Sequence, residues 1–192
     1  ENYLKENRRN LALGTGHIEQ DKLPYNEIRF YKEGNFQKYY AKQLLTHGPE
    51  FMGEYHFYVP GVKLETIDLA PNVRAGALIC NDAWAYPLAS PNGNPYYWRT
   101  LREMGCNIVF VSANCTMDKR DEVVYNFHES MLRIMAKSYN MHIVVSGTCT
   151  DMNGVPVQHV QAPSGIISDT GEWIVKCKEQ GMDQVSAEIN FG

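Results

Sequence analysis

The chain has 192 residues, and its 18 Lys and Arg against 22 Asp and Glu give a formal net charge of −4. Apolar residues make up 44% and charged residues 21%, which is typical of a globular protein. The mildly acidic balance argues against nucleic-acid binding. No apolar run approaches the roughly 18 residues of a membrane span. No secretory leader pattern opens the chain, so we expect a single cytoplasmic domain over residues 1–192.

Five cysteines are spread along the chain, at positions 80, 106, 115, 149 and 177. The absence of a CxxC pair disfavours a zinc ribbon or a thioredoxin-like motif. An odd number of cysteines without a signal peptide also disfavours a disulfide framework. Two interpretations remain: all five are reduced and mostly buried, or one of them is a nucleophile.

The first third of the chain has the alternation and the turn residues of β-strands. Residues 10–17 predict a short strand. Residues 25–32 and 36–42 alternate and flank Glu33-Gly34-Asn35, which predicts a β-hairpin. After an irregular stretch, a further strand is predicted over residues 62–69.

The rest of the chain alternates apolar strands with helices. Strands buried on both faces are predicted over residues 73–82, 107–113 and 141–147. Helices are predicted over residues 95–104 and 121–140. Final strands are predicted over residues 163–168, 172–178 and 183–189. This order predicts an α/β layered fold with a mixed sheet.

The clearest helix is the one over residues 121–140, which Asp121 favours at its start and Asn140 at its end. Its apolar residues recur at spacings of three and four, as on the buried stripe of an amphipathic helix. They are Val124, Phe127, Met131, Ile134 and Met135.

Among the cysteines, Cys80 has the most enzyme-like position. It lies near the carboxyl end of a predicted buried strand, where open α/β sheets gather reactive groups. A nucleophilic cysteine attacks as the thiolate, which needs a nearby cation or base. Asp82 alone would disfavour the thiolate, so that help has to come from elsewhere in the fold. The alternative is a structural cysteine buried at a strand end.

Three blocks of sequence, in order, resemble the nitrilase superfamily of carbon–nitrogen hydrolases. GALICNDAW, residues 76–84, is similar to the nucleophile segment, and its Cys-Asn-Asp form is most similar to the N-carbamoyl-D-amino-acid amidohydrolase branch. YYAKQLLTHGPEF, residues 39–51, with Tyr58-Val59-Pro60-Gly61 after it, resembles the lysine segment. MLRIMAKSYNMHIVVSG and APSGIISDTGEWI resemble the segments that follow the nucleophile.

The resemblance implies an α-β-β-α sandwich of the nitrilase type that forms a homodimer or a higher homo-oligomer. It also implies hydrolysis of a small-molecule amide or N-carbamoyl compound, with release of ammonia and without a metal or cofactor. Cys80 matches the nucleophile, Lys42 the lysine that donates to the oxyanion, and Glu50 the second glutamate, which orients substrate and water. Glu54 lies close by, so the choice between the two glutamates is open.

Three more residues are candidates for substrate binding, each with a structural alternative. Asn114 resembles an asparagine of the carbamoylase branch, and the alternative is a turn or cap residue. Arg120 is a candidate partner for a substrate carboxylate, and the alternative is a surface role at a helix start. Asp82 belongs to the nucleophile segment, and the alternative is a structural role through backbone hydrogen bonds.

One residue that the resemblance implies has no match. The family's first glutamate, the general base, stands in a Pro-Glu context well before the lysine, and no glutamate before Lys42 has that context. We therefore expect a chain that begins after the base and its strand–helix elements, a base from another chain, or an inactive protein. The link after the nucleophile, AYPLASPNGNPYYW, is longer than usual in the family, which leaves the substrate open.

Three rival functions follow from the same residues. A nitrilase is disfavoured because Cys-Asn-Asp differs from the Cys-Trp-Glu typical of nitrilases. A glutaminase-type domain that feeds a synthetase is disfavoured because the 192 residues contain no synthetase domain. A non-catalytic binding or assembly protein that kept the fold is favoured by the missing base.

Overall fold

The structure is a computed structural model that describes residues 2–17, 22–47, 53–84, 96–114, 116–117, 120–148, 159–179 and 181–191. Its elements in chain order are α1 (Asn2–Glu6), β1 (Leu11–His17), β2 (Tyr25–Lys32), β3 (Asn35–Ala41), a 3-10 helical turn (Glu54–His56), β4 (Thr66–Ala70), β5 (Val73–Ile79), α2 (Asn81–Trp84), α3 (Tyr97–Glu103), β6 (Ile108–Ala113), β7 (Thr116–Met117), α4 (Glu122–Tyr139), β8 (His142–Gly147), β9 (His159–Val160), β10 (Gly165–Ile167) and β11 (Trp173–Lys176).

Two sheets form the body of the fold. The first is antiparallel, in the order β1-β2-β3, and the second has the order β11-β10-β8-β6-β5-β4. Within the second sheet, β5, β6 and β8 run parallel, so their carboxyl ends lie at one edge of the sheet. The remaining pairs of this sheet are antiparallel. The predicted α/β fold with a mixed sheet is therefore confirmed.

The six-stranded sheet is covered on both faces. Helices α2, α3 and α4 pack on one face, where Trp98, Leu101 and Leu132 are almost fully buried. The three-stranded sheet covers the other face, where Phe30 and Tyr40 pack against the β5 side chains. The two cores meet at β5, the strand that leads into Cys80.

The strand predicted over residues 10–17 and the predicted hairpin are confirmed. The hairpin joins β2 to β3, and its turn places Glu33 at φ 48° and Gly34 at φ 81°. Two successive left-handed residues match the right-handed twist of the paired strands. Strand β4 begins four residues later than predicted, at Thr66.

Helix α4 has the predicted ends but a different buried face. The Asp121 side chain accepts hydrogen bonds from the backbone N–H groups of Val123 and Val124. Asn140 ends the helix at φ 48°. The predicted stripe is wrong at Phe127 and Ile134, which are 40% and 54% exposed, whereas the predicted Met131 and Met135 are half-buried and pack against the core.

The buried stripe of α4 is Tyr125, His128, Leu132 and Ala136. Hydrophobicity alone misses this stripe, since it contains a polar ring and a small residue. The His128 ring is hydrogen-bonded through Nδ1 to the carbonyl of Gln161 at 2.7 Å, which satisfies that nitrogen without water.

The strand predicted over residues 183–189 was wrong, because residues 181–191 contain no strand. Their apolar residues are nevertheless used, since Ile189 and Phe191 pack against the core between the sheets. In residues 183–189, the alternation of apolar residues therefore indicates burial and not pairing with another strand. Within the described ranges, none of the helices is long and apolar enough to cross a membrane.

Candidate active site

The carboxyl edge of the parallel strands gathers polar side chains. Cys80 follows β5, Asn114 follows β6 and Thr148 follows β8. Thr148 Oγ1 donates a hydrogen bond to Asn114 Oδ1 at 2.7 Å. The structure thus brings the predicted Asn114 to the same edge of the sheet as Cys80.

Cys80 occupies a tight turn from strand to helix. Its φ is 47°, a left-handed conformation that costs a residue other than glycine about 1–3 kcal/mol and that recurs at functional sites. The Cys80 N–H donates to the carbonyl of Ser112 at 2.8 Å, and the Cys80 carbonyl accepts from the N–H of Ala83 at 2.9 Å. The chain then enters α2, which is fully buried, and Trp84 stacks on His128 with ring centroids 4.3 Å apart. Such a turn presents its side chain at the sheet edge, as in a nucleophile elbow.

Lys42 directly follows β3, and its side chain is only 2% exposed. Its N–H donates to the carbonyl of Asn26 at 2.8 Å, and its carbonyl accepts from the N–H of Gly61 at 2.7 Å. A Cβ at position 61 would lie 2.2 Å from the carbonyl oxygen of Ala41, so the approach requires glycine. The backbone of the lysine is thereby fixed on both sides.

Glu54 binds the Lys42 ammonium, with 2.5 Å between Nζ and Oε2. The same carboxylate oxygen accepts from the N–H of Thr46 at 2.7 Å and from Thr46 Oγ1 at 2.9 Å. In return, the Glu54 N–H donates to the carbonyl of Thr46 at 3.0 Å. Glu54 is therefore held by both the lysine and the segment that follows it.

The opposite charges of Lys42 and Glu54 each favour the ionised form of the other group. Burial by itself would lower the pKa of the Lys42 ammonium, but the negative charges of Cys80, Glu54 and Asp82 raise it above its usual range. Burial would raise the pKa of Glu54, but the Lys42 charge and the hydrogen bonds from Lys42 and Thr46 lower it. Both groups are therefore ionised at neutral pH, with a cation close to Cys80.

Asp82 lies on the other side of this cluster and is 2% exposed. Its Oδ1 accepts from the backbone of Leu44 at 2.8 Å and of Gln43 at 3.2 Å. Its Oδ2 accepts from Tyr40 Oη at 2.7 Å and from the N–H of Ile79 at 3.1 Å. Burial raises the pKa of Asp82 to about 6, although these hydrogen bonds and the Lys42 charge oppose the rise.

The contacts of Arg120 lie outside this cluster. Arg120 forms ion pairs with Glu179 and Glu122, and its guanidinium lies 4.0 Å from the centre of the Tyr125 ring. Glu50 lies outside the described residues, so its role stays a prediction.

The other described cysteines have different surroundings. Cys106 is buried beside the helices, and burial raises the pKa of its thiol to about 12. Burial and the charge of Asp183 raise the pKa of the half-buried Cys177. Neither forms a disulfide. Within the described ranges, no three His, Cys, Asp or Glu side chains gather closely enough to hold a metal ion.

Sequence reasoning missed two members of the cluster, Tyr40 and Thr46. Tyr40 had a signal, since it stands two residues before Lys42 and strand alternation puts both on one face. Thr46 contacts Glu54, eight residues further along the chain, and no periodic pattern predicts such a contact.

No protein-family model and no curated protein matches the sequence. Solved structures nevertheless resemble it. A carbon–nitrogen hydrolase from Helicobacter pylori has a TM-score of 0.73 at 17% identity, over 93% of this chain and 61% of that one. An amidase from a Nesterenkonia species, with acrylamide added at its active-site cysteine, has 0.72 at 17% identity, over 93% and 63%. A glutamine-dependent NAD+ synthetase from Acinetobacter baumannii has 0.70 at 17% identity, over 91% and 30%.

The chain spans less than two thirds of each of these three proteins. The Nesterenkonia amidase belongs to the nitrilase superfamily. In a structure of a mutant of this amidase, the active-site cysteine carries the acetamide moiety of fluoroacetamide. At these identities the likeness concerns the fold. It confirms the predicted sandwich: the chain has the fold of the carbon–nitrogen hydrolases of the nitrilase superfamily.

Proposed function

We propose that this chain carries the catalytic site of an amidohydrolase, which cleaves a non-peptide carbon–nitrogen bond in a small-molecule amide or N-carbamoyl compound. The observation that carries the proposal is the buried Lys42 ammonium, bound to Glu54 and electrostatically coupled to Cys80. A buried ammonium is costly unless it is paired and hydrogen-bonded, and Glu54 supplies that pair. An ammonium held in this way can stabilise a thiolate and an oxyanion.

The reaction that we propose uses two covalent steps. The Cys80 thiolate attacks the carbonyl carbon, forming a C–S bond and an oxyanion that accepts a hydrogen bond from the Lys42 ammonium. The C–N bond then breaks, and ammonia leaves with a proton from the general base. Water, activated by the same base, hydrolyses the thioester, which releases the acid and restores the thiol.

Glu54 is assigned to holding Lys42. Its lowered pKa makes it a weak base, and its Oε2 already accepts three hydrogen bonds. Proton transfer from Cys80 therefore needs another acceptor, and we assign the general base to no residue of this chain. Glu50 remains the residue predicted to orient substrate and water.

The substrate class follows from two kinds of support. The structures with this fold include an amidase and a carbon–nitrogen hydrolase. The Cys-Asn-Asp tripeptide at Cys80 resembles the N-carbamoyl branch. Asn114, which follows β6 at the sheet edge where Cys80 follows β5, is part of the proposal as a substrate contact. The homodimer or higher homo-oligomer that the resemblance implies is part of the proposal.

Ammonia release by the purified protein, together with the chain that carries the general base if that base lies elsewhere, tests this function. The panel contains acetamide, butyramide, glutamine, N-carbamoyl amino acids and an aliphatic nitrile. We expect release from an amide or N-carbamoyl compound, and its loss in Cys80→Ala with an unchanged circular dichroism spectrum. Cys177→Ala is the matched control, because Cys177 is also half-buried and lies away from Lys42. We expect it to keep full activity.

The panel also separates the rival functions. Undiminished ammonia release from Cys80→Ala would exclude the proposed nucleophile. Release from the nitrile alone would favour a nitrilase. An inactive chain in which Cys80 is also not labelled in preference to the other cysteines would favour the non-catalytic binding protein. An inactive chain with selective labelling of Cys80 would favour a base supplied from elsewhere.

A further inference from the structure

Asp82 connects the two segments that carry the proposed catalytic groups. We propose that it is a positioning residue, which fastens the Lys42 segment to the Cys80 turn and so sets the separation between the ammonium and the thiol. The inference rests on the proposed function, because it concerns the geometry of that site. It gives a role to a buried carboxylate that the reaction steps do not use.

The hydrogen bonds of Asp82 divide between the two segments. Two donors, the backbone N–H groups of Gln43 and Leu44, come directly after Lys42. A third, Tyr40 Oη, comes from the end of β3 just before it. The fourth, the N–H of Ile79, immediately precedes Cys80. One carboxylate thus joins the two sheets at the point where each sheet delivers a catalytic group.

A further hydrogen bond joins the same two segments. Asn81 Nδ2 donates to the carbonyl of Leu44 at 3.1 Å, so both residues after Cys80 bind the Lys42 segment. These contacts also oppose the strain of the Cys80 turn, whose left-handed conformation needs support from its surroundings.

The burial of Asp82 favours positioning over substrate binding. Asp82 is 2% exposed and Tyr40 is fully buried, which leaves no surface for a ligand between them. A carboxylate has about four acceptor sites, and four donors of this chain occupy them. Asp82 therefore acts through the groups that it holds.

A positioning role and a purely electrostatic role predict opposite results when Asp82 is neutralised. Removing its negative charge alone would favour the Cys80 thiolate. Releasing the Lys42 segment would take away the ammonium and disfavour the thiolate. Among the described residues, the other titratable groups around Asp82 are Tyr40 on β3 and Tyr97 on α3, and both have raised pKa values through burial, so they stay neutral near pH 7.

The rate of Cys80 alkylation by iodoacetamide across pH tests the proposal, with the adduct located by mass spectrometry. We expect Asp82→Asn to slow labelling at neutral pH by about tenfold and to move the midpoint of the pH profile upward. Tyr40→Phe removes one donor and keeps the charge, and we expect a smaller change in the same direction. Asp68→Asn is the matched control, since Asp68 is an exposed carboxylate bound to Arg74, and we expect no change.

A midpoint that falls or stays unchanged in folded Asp82→Asn would overturn the proposal. If that variant does not fold, Tyr40→Phe decides, and an unchanged profile there has the same consequence. Lys42→Met separates the two levels of inference. If it leaves labelling unchanged, the proposed function fails, and the positioning role fails with it. If it slows labelling while Tyr40→Phe and Asp82→Asn do not, only the positioning role is wrong.

Discussion

Two carboxylates interact with the Lys42 ammonium, and they differ in how they are held. Glu54 accepts directly from the ammonium, and its pKa is lowered despite burial. Asp82 accepts from a hydroxyl and three backbone N–H groups, and burial raises its pKa to about 6. Direct pairing with a cation outweighs burial at the partly exposed Glu54, whereas the four donors and the Lys42 charge do not outweigh burial at Asp82. Glu54 is thus suited to holding a charge, and Asp82 to holding the backbone.

The largest effect is expected when the shared cation is removed. Lys42→Met deletes an oxyanion donor, which typically costs about 2.7–4 kcal/mol of activation free energy, or about 10²–10³ in kcat. The measurement is kcat for the amide that the panel identifies. Lys38→Met is the control, since Lys38 lies on β3, the strand that leads into Lys42, but is 41% exposed and pairs with Glu65. Full activity of Lys42→Met would contradict both the mechanism and the central place of the lysine.

Glu54→Gln tests the ion-paired side of the comparison. The change leaves a buried ammonium beside a neutral amide, so we expect a loss of about 1–3 kcal/mol in the free energy of unfolding at pH 7. The folded-state pKa of Glu54 lies below its ordinary value, so its stabilisation is present above that value and is lost as the pH falls. Urea titrations should therefore show the wild type and variant converging in acid. A gap that widens in acid would refute the pairing.

Asp82→Asn is expected to show the opposite pH dependence. The pKa of Asp82 rises from an ordinary 3.8 to about 6 in the folded state, so folding favours the protonated form. Ionisation then costs stability: relative to the variant, the wild type should lose about 3 kcal/mol as the pH rises from about 4 to about 7. The same titrations measure it. If the two variants gave slopes of the same sign, the contrast between the carboxylates would be wrong.

The smallest effect is expected at Arg120, away from both carboxylates. Its guanidinium is already engaged by Glu179 and Glu122, so we expect Arg120→Gln to leave KM nearly unchanged. A large rise in KM with an unchanged kcat would instead support the substrate-carboxylate role that the sequence suggested. Steady-state kinetics on the preferred substrate distinguishes the two.

Much of the fold could be predicted from short-range patterns. The β2–β3 hairpin depends on two residues at its turn, and the ends of α4 depend on Asp121 and Asn140. Burial depends on distant partners, which is why the face of α4 was misplaced and why the segment 183–189 packs without pairing. The local sequence therefore predicted where the elements begin and end better than it predicted which of their residues are buried.

The candidate site likewise contains residues that the local sequence identifies and residues whose contacts depend on distant parts of the chain. Cys80 could be singled out by its place after an apolar strand, and Lys42 by its resemblance to a family segment. The sequence left two glutamates open because Glu54 contacts Lys42 from twelve residues away, and no helix or strand periodicity predicts that contact. The four donors of Asp82 come from both sheets, so no single segment contains the information that they converge.

The central claim is that Cys80 is the nucleophile, and the site of covalent labelling tests it most directly. A structure of the Nesterenkonia amidase carries the acetamide moiety of fluoroacetamide on its active-site cysteine. Mass spectrometry of this chain after treatment with fluoroacetamide should show one acetamide adduct, on Cys80, and none in Cys80→Ala. An adduct on Cys106 or Cys177, or an even spread over the cysteines, would contradict the account.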